Sequence, residues 1–208
     1  ICFDLQQKHY MDKFSYAIGL GIGQNLLSMG AKGIEVDDFA QAIKDILEGN
    51  KTAISHAEAR DIVNKYFAEL EEKMNAASIE QGVQFLEENK KRPNVVTLPS
   101  GLQYEVINEG KVGTYAKATD QVKCHYEGTL IDGTLFDSSI KRGQPAVFGV
   151  NQVIPGWVEA LQLMPEGAKW KLYIPSDLAY GAQGSGEMIP PHSTLIFEVE
   201  LLEILSQK

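Results

Sequence analysis

Reactive side chains are few and scattered in this sequence. His56, His125 and His192 stand far apart, His9 lies in the first ten residues, and none keeps a metal-ligand spacing with carboxylates or cysteines. Ser138 and Ser139 lack the strand-turn-helix frame that exposes a hydrolase nucleophile, which sets a hydrolase aside. Cys124 falls in an alternating run and reads as a small strand residue. Gly19, Gly21 and Gly23 form Gly-Leu-Gly-Ile-Gly, but no strand precedes it and no Lys-Ser/Thr pair follows, which argues against a phosphate-binding loop. What remains is apolar: Tyr126, Phe136, Phe148, Val153, Ile154, Trp157, Tyr180, Ile189 and Phe197. Each alone reads as core. As a set they are too aromatic, and too often beside turns, to be core throughout, so an apolar pocket with a few polar tips is the expected site. Trp157 is its centre: one large ring in a short segment that Pro155-Gly156 opens and Pro165-Glu166-Gly167 closes.

The elements that must position these residues fall into two kinds. From Met11 to Ser28, Phe14, Ile18, Leu20, Ile22, Leu26 and Leu27 recur at helical spacing, and Gly30 and Gly33 end the run. The alternating glycines suggest a close helix-to-helix approach. A second helix is expected from about Asp37, capped by Asp37 or Asp38 and stopped by Gly49. A third opens on the capping-box pair Ser55 and Glu58 and continues to about Arg92, before Pro93. That is roughly 40 residues, or about 55 Å. Its first half carries Ile62, Val63, Tyr66, Phe67, Leu70 and Met74, whereas its later part is mostly polar, as in a solvated helix that spaces two modules apart. Such helices bury little alone, and dimerisation through residues 11–75 is the economical solution.

At Pro93 the apolar period changes from helical to alternating. Leu102, Tyr104 and Val106 alternate, as do Val122, Cys124 and Tyr126, then Trp170, Leu172 and Ile174, and finally Leu195, Phe197, Val199 and Leu201. Asp132-Gly133 is a hairpin-type turn. A long glycine- and proline-rich loop between Pro175 and His192 is of the kind that is more often functional than idle. The expected class is α+β: an all-helical N-terminal region with a long connecting helix, then an antiparallel sheet with one short helix, Pro155–Leu163, packed on it. The expected divisions are an extension over 1–10, a helical domain over 11–54, the connecting helix over 55–92 and the sheet domain over 93–208.

A net charge of -9 makes nucleic acid a poor partner, and 44% hydrophobic with 23% charged residues is ordinary for a globular protein. No apolar run approaches the roughly 18 residues of a membrane span. Two cysteines make no disulfide framework. The first residues lack the basic start and apolar stretch of a secretory signal, so a cytoplasmic location is expected, with a periplasmic one after signal removal as the alternative.

The pattern resembles a known family. His125-Tyr126-Glu127-Gly128 and Asp132-Gly133-Thr134-Leu135-Phe136-Asp137-Ser138-Ser139, then Val153-Ile154-Pro155-Gly156-Trp157, Leu178-Ala179-Tyr180-Gly181 and Ile189 to Phe197, are similar in order and spacing to the FKBP-type peptidyl-prolyl isomerase domain. Residues 11–92 resemble, more loosely, the helical arm of the bacterial dimeric subgroup that includes macrophage infectivity potentiators. The resemblance implies a half-barrel sheet wrapped around the short helix and a substrate proline ring seated on Trp157. Tyr126, Phe136, Phe148, Val153, Ile154, Ile189 and Phe197 would surround it, Tyr126, Asp137 and Tyr180 would act on the bond, the Ile154 N–H would hold a substrate carbonyl, and Arg142 would orient Asp137. It implies no cofactor and no metal, proline-containing unfolded or partly folded chains as substrates, tacrolimus or rapamycin as ligands, and a V-shaped homodimer with chaperone-like client binding. A holdase or peptide-binding module with little turnover is the alternative. The sequence departs from the family at Ala146, where many relatives carry a bulky aromatic, and in the polar loop tip Gln183–Met188.

Overall fold

The structure, a computed structural model, describes residues 10–205. Its elements run α1 (Lys13–Ser28), α2 (Val36–Glu48), α3 (His56–Asn89), β1 (Val95–Thr97), β2 (Gln103–Asn108), β3 (Lys111–Tyr115), β4 (Gln121–Leu130), β5 (Leu135–Ser138), β6 (Ala146–Gly149), α4 (Pro155–Leu163), β7 (Pro165–Glu166), β8 (Lys169–Ile174) and β9 (Leu195–Leu205), with short 3-10 turns between. Apart from Tyr10, the expected extension over 1–10, with Cys2 and His9, lies outside the described residues.

Side-chain caps set the helix ends. The Asp12 carboxylate accepts from the Ser15 N–H at 2.8 Å, so α1 starts at Lys13. Gly30, at φ +76°, closes it, and the Ala31 N–H reaches back to the Leu26 carbonyl at 3.0 Å. The second helix begins one residue before the expected Asp37. Glu35 is its N-cap without a side-chain bond, and Asp37 and Asp38 sit in the first turn, where the positive end of the helix favours them. Gly49, left-handed at φ +70°, ends it as expected. The Ser55 hydroxyl accepts from the Glu58 N–H at 3.1 Å and starts α3, whose 34 residues span about 51 Å. It stops at Asn89 rather than Arg92, because residues 90–92 tighten into a turn, bonding Lys91 to Glu88 and Arg92 to Asn89, ahead of the proline that disfavours helix at Arg92. The close approach expected at Gly19, Gly21 and Gly23 is not made within one chain: a Cβ at any of them would meet nothing within 4 Å.

Packing divides the chain inside α3, after Leu70. In the first unit the Tyr66 hydroxyl bonds the Lys32 backbone at 3.2 and 3.3 Å, and Leu70 closes on Gly30. Neither α1 nor α2 buries a residue. In the second unit the later half of α3 is not the free solvated spacer its composition suggests. Its Phe85 ring lies 6.0 Å from Tyr173, the Asn89 amide donates to Gln103 at 2.9 Å in a buried pair, and the Gln103 amide donates to the Leu86 carbonyl at 2.9 Å. Tyr173 faces away from Leu172 and Ile174, yet is buried, because this half of the helix covers it.

The sheet is antiparallel throughout, in the order β1-β2-β8-β9-β4-β5, with β6 also on β4. One edge of β4 pairs along its length with β9, while β6 and β5 share the other edge. The β3 and β7 strands form a separate pair. Along β4 and β9 alternate residues are buried: Val122, Cys124, Tyr126 and Gly128 face Leu195, Phe197, Val199 and Leu201 toward the core. On that face sits α4, with Pro155 at its first turn and Trp157, Ala160 and Leu161 buried. Gly156 makes the seat possible, since a Cβ there would lie 2.6 Å from Ile174.

Candidate active site

Trp157 is the floor of a cavity of about 660 Å³. Three rings stand edge-on to it: Phe197 at 5.2 Å and 83°, Tyr126 at 5.3 Å and 87°, and Phe148 at 5.6 Å and 82°. Phe136 meets Phe197 the same way at 5.4 Å. Right-angle contacts of this kind suit the ring quadrupoles. The strands fix this geometry. Tyr126 comes from β4, Phe197 from β9, Phe136 from β5 and Phe148 from β6, while Val153 and Ile154 lead into α4. Gly128 on β4 leaves room for two of the walls, because a Cβ there would lie 2.6 Å from the Phe136 ring and 2.7 Å from Phe197.

One polar corner opens on this cage. The Tyr126 hydroxyl donates to Asp137 Oδ2 at 2.5 Å. Arg142 donates through Nη1 to Asp137 Oδ1 and through Nη2 to the Tyr126 oxygen at 2.8 Å, and its Cζ lies 5.6 Å from the Tyr126 ring centre. Burial pushes the Asp137 carboxyl up, but the Tyr126 hydroxyl and the Arg142 guanidinium outweigh it and hold it below the usual carboxylate range. Burial first, then the bond to Asp137, raises the Tyr126 hydroxyl, which keeps it a donor at neutral pH. Tyr180, between two 3-10 turns, lines the cavity, and among the described residues nothing accepts from its hydroxyl. Ile154 is the N-cap of α4, and its N–H has no backbone acceptor among the described residues, whereas its carbonyl takes the Trp157 and Val158 N–H groups.

Every cavity residue expected from the sequence therefore lines one space: Tyr126, Phe136, Asp137, Phe148, Val153, Ile154, Trp157, Tyr180, Ile189 and Phe197. Arg142 stands behind Asp137 rather than on the wall. Ala146 packs against the core and is not on the wall either. Five further residues line it: Gln152, which the sequence did not single out, and Ser185, Gly186, Glu187 and Met188 from the loop tip noted as a departure from the family but not assigned to the wall. The last four are the tip of a small hairpin that Ser185 and Ile189 close with two backbone bonds of 2.9 and 3.2 Å, Gly184 and Gly186 taking positive φ. A polar glycine-rich run carries no apolar period, so only its glycines and its departure from the family pattern marked it.

Ser139 and Cys124 are structural. The Ser139 hydroxyl, fully buried, accepts from the Tyr126 N–H at 2.8 Å and lies 3.0 Å from His125 Nδ1, tying β4 to the chain after β5. Burial pushes the Cys124 thiol up to about 12, so it is no thiolate at neutral pH. Among the described residues no three His, Cys, Asp or Glu are placed to hold a metal ion, and no helix is long and apolar enough to cross a membrane.

Residues 113–202 match the family described as FKBP-type peptidyl-prolyl cis-trans isomerase, and residues 11–106 match the domain amino terminal to it. The chain belongs to the FKBP-type peptidyl-prolyl cis-trans isomerases. It is 50% identical to the FKBP-type 22 kDa peptidyl-prolyl cis-trans isomerase of Escherichia coli, over 92% of this chain and 94% of that protein. It is 42% identical to the outer membrane protein MIP of Legionella longbeachae, over 93% and 85%. The crystal structure of FkpA from Escherichia coli superposes with a TM-score of 0.77 at 34% identity, covering 93% of this chain and 96% of that one.

Proposed function

We propose that the cavity over Trp157 accelerates rotation about X–Pro bonds in folding polypeptides, and that the observation carrying this is the cage of aromatic rings around Trp157 with the Tyr126–Asp137–Arg142 corner opening on it. Prolyl isomerisation breaks no bond. Its barrier is amide resonance, which holds the X–Pro unit planar and makes uncatalysed turnover take tens to hundreds of seconds. The twisted transition state has less charge separation than the planar amide, so an apolar cavity that excludes water favours it over the ground state. The proline ring sits on Trp157, with Phe136, Phe148, Val153, Ile189 and Phe197 around it. The Ile154 N–H and the Tyr180 hydroxyl, both without acceptors among the described residues, hold substrate carbonyls. Tyr126 and Asp137 contact the twisting amide, and Arg142 fixes both. Tacrolimus or rapamycin would fill the same space.

Protease-coupled isomerisation of a Leu–Pro peptide, with and without rapamycin, tests this reading. Catalysis that rapamycin abolishes is expected. No turnover would favour the alternative of a holdase that keeps the pocket for binding alone.

The chain acts as a homodimer through residues 11–75. What supports this is the bareness of α1 and α2, which bury no residue within one chain and expose Phe14, Ile18, Leu20, Leu27, Ile46 and Leu47. Two cavities in one dimer would raise the effective concentration of sites for a single unfolded client. Analytical ultracentrifugation is expected to give twice the chain mass, and a monomer across the micromolar range would overturn the assembly.

A further inference from the structure

The α3 helix holds the segment that follows the cavity-lining Ile189. Its Ser78 hydroxyl donates to the Pro191 carbonyl at 3.1 Å. One turn on, Gly82 is buried, one of two such residues in this helix, and a Cβ there would lie 2.5 Å from Thr194 Oγ1. Helix propensity alone prefers alanine in a helix interior, so the gap is what glycine supplies here. Both contacts hold Pro190–Thr194. That segment begins beside Ile189, which lines the cavity, and its His192, at φ +58°, donates its N–H to Gly181 at 2.8 Å, beside Tyr180. A shift of Pro191 or Thr194 is therefore carried in one direction to Ile189 and in the other to Tyr180. Two stiff prolines, Pro190 and Pro191, leave little slack between them.

We propose that Ser78 and Gly82 are positioning residues for isomerisation: the long helix clamps the Pro190–Thr194 segment and so sets the heights of Ile189 and Tyr180 over the bound proline. This rests on the cavity being the isomerisation site. Neither residue touches the cavity, and both act through the loop.

The test uses the full chain. Gly82→Ala forces Thr194 away and is expected to lower kcat/KM for a Leu–Pro peptide roughly tenfold, with the fold retained by circular dichroism, because small displacements of a positioning group are costly. Thr194→Ala removes the clashing oxygen, so the pair Gly82→Ala/Thr194→Ala should return to within about twofold of Thr194→Ala alone, the error range of non-interacting sites. Ser78→Ala gives a smaller loss in the same direction and serves should the glycine variant not fold. The Ile189 methyl resonances, followed by NMR, should move in Gly82→Ala and return in the pair. A folded Gly82→Ala with wild-type kcat/KM and unmoved Ile189 methyls overturns the proposal, as does a loss that Thr194→Ala fails to relieve. Absence of turnover in the unaltered chain would overturn the isomerase reading instead, while the Ile189 methyls would still decide whether the clamp exists.

Discussion

The Tyr126–Asp137–Arg142 corner makes the sharpest claims at the scale of single residues. Tyr126→Phe removes one bond to Asp137 and one from Arg142 but keeps the ring over Trp157. Its kcat/KM should fall by a few-fold to about tenfold, the range set by a net hydrogen bond of about 0.5–1.5 kcal/mol. Asp137→Ala should lose more, because it strips the Tyr126 hydroxyl and the guanidinium of their acceptor together. The carboxyl also sets a pH dependence. Its folded value lies below its unfolded one, so its contribution to stability is complete above the ordinary carboxylate range, about pH 4, and is lost as pH falls through the lowered value. Urea titrations of the wild type and Asp137→Asn should differ by a constant amount from neutral pH down to about pH 5, and converge only below about pH 4. A gap that closes near neutrality would mean the carboxyl is not held ionised. The aromatic members of this site were legible as types in the sequence. Asp137 and Arg142 were not, since nothing in their spacing shows that they share an oxygen-to-nitrogen contact, and only the resemblance to a family brought them in.

Among the elements, α4 and the strands could be read because their signals are local. Pro155 and Gly156 punctuate the helix, and the period-two runs of β4, β8 and β9 each turn one face to the core. The docking of α3 was hidden for a physical reason. Apart from Phe85, it is made by a missing side chain at Gly82, a hydroxyl at Ser78 and an amide at Asn89, residues that on a helix otherwise signify solvent. Gly156 allows a test of how tightly α4 is seated. Gly156→Ala would drive a Cβ to 2.6 Å from Ile174, and overpacking of this sort costs about 1–3 kcal/mol. Chemical denaturation should register that loss, and peptide turnover should fall with it, because the helix must tilt and take Trp157 along.

For the molecule as a whole, the boundary inside α3 decides where it can be cut. A fragment from residue 93 onward loses the Asn89 amide that satisfies Gln103 and the Leu86 carbonyl that takes the Gln103 donor. The cut uncovers Gln103 together with its register partner Tyr173, so it costs the net worth of two hydrogen bonds, about 0.5–1.5 kcal/mol each, and the apolar cover of the tyrosine ring. A fragment from residue 71 keeps all of these. Thermal unfolding should therefore place the longer fragment several degrees above the shorter one, and equal melting temperatures would show that the helix adds nothing to the sheet domain.

The sequence holds two tryptophans. Trp170 lies stacked on Tyr104 at 4.2 Å and 10°, outside the cavity lining. Trp157 is the cavity floor, its indole N–H buried and without a hydrogen-bond acceptor among the described residues. The chain thus carries its own optical reporter: a ligand that settles on the floor must change the emission of one indole while the other supplies a constant background, so occupancy can be followed by intrinsic fluorescence with no label attached.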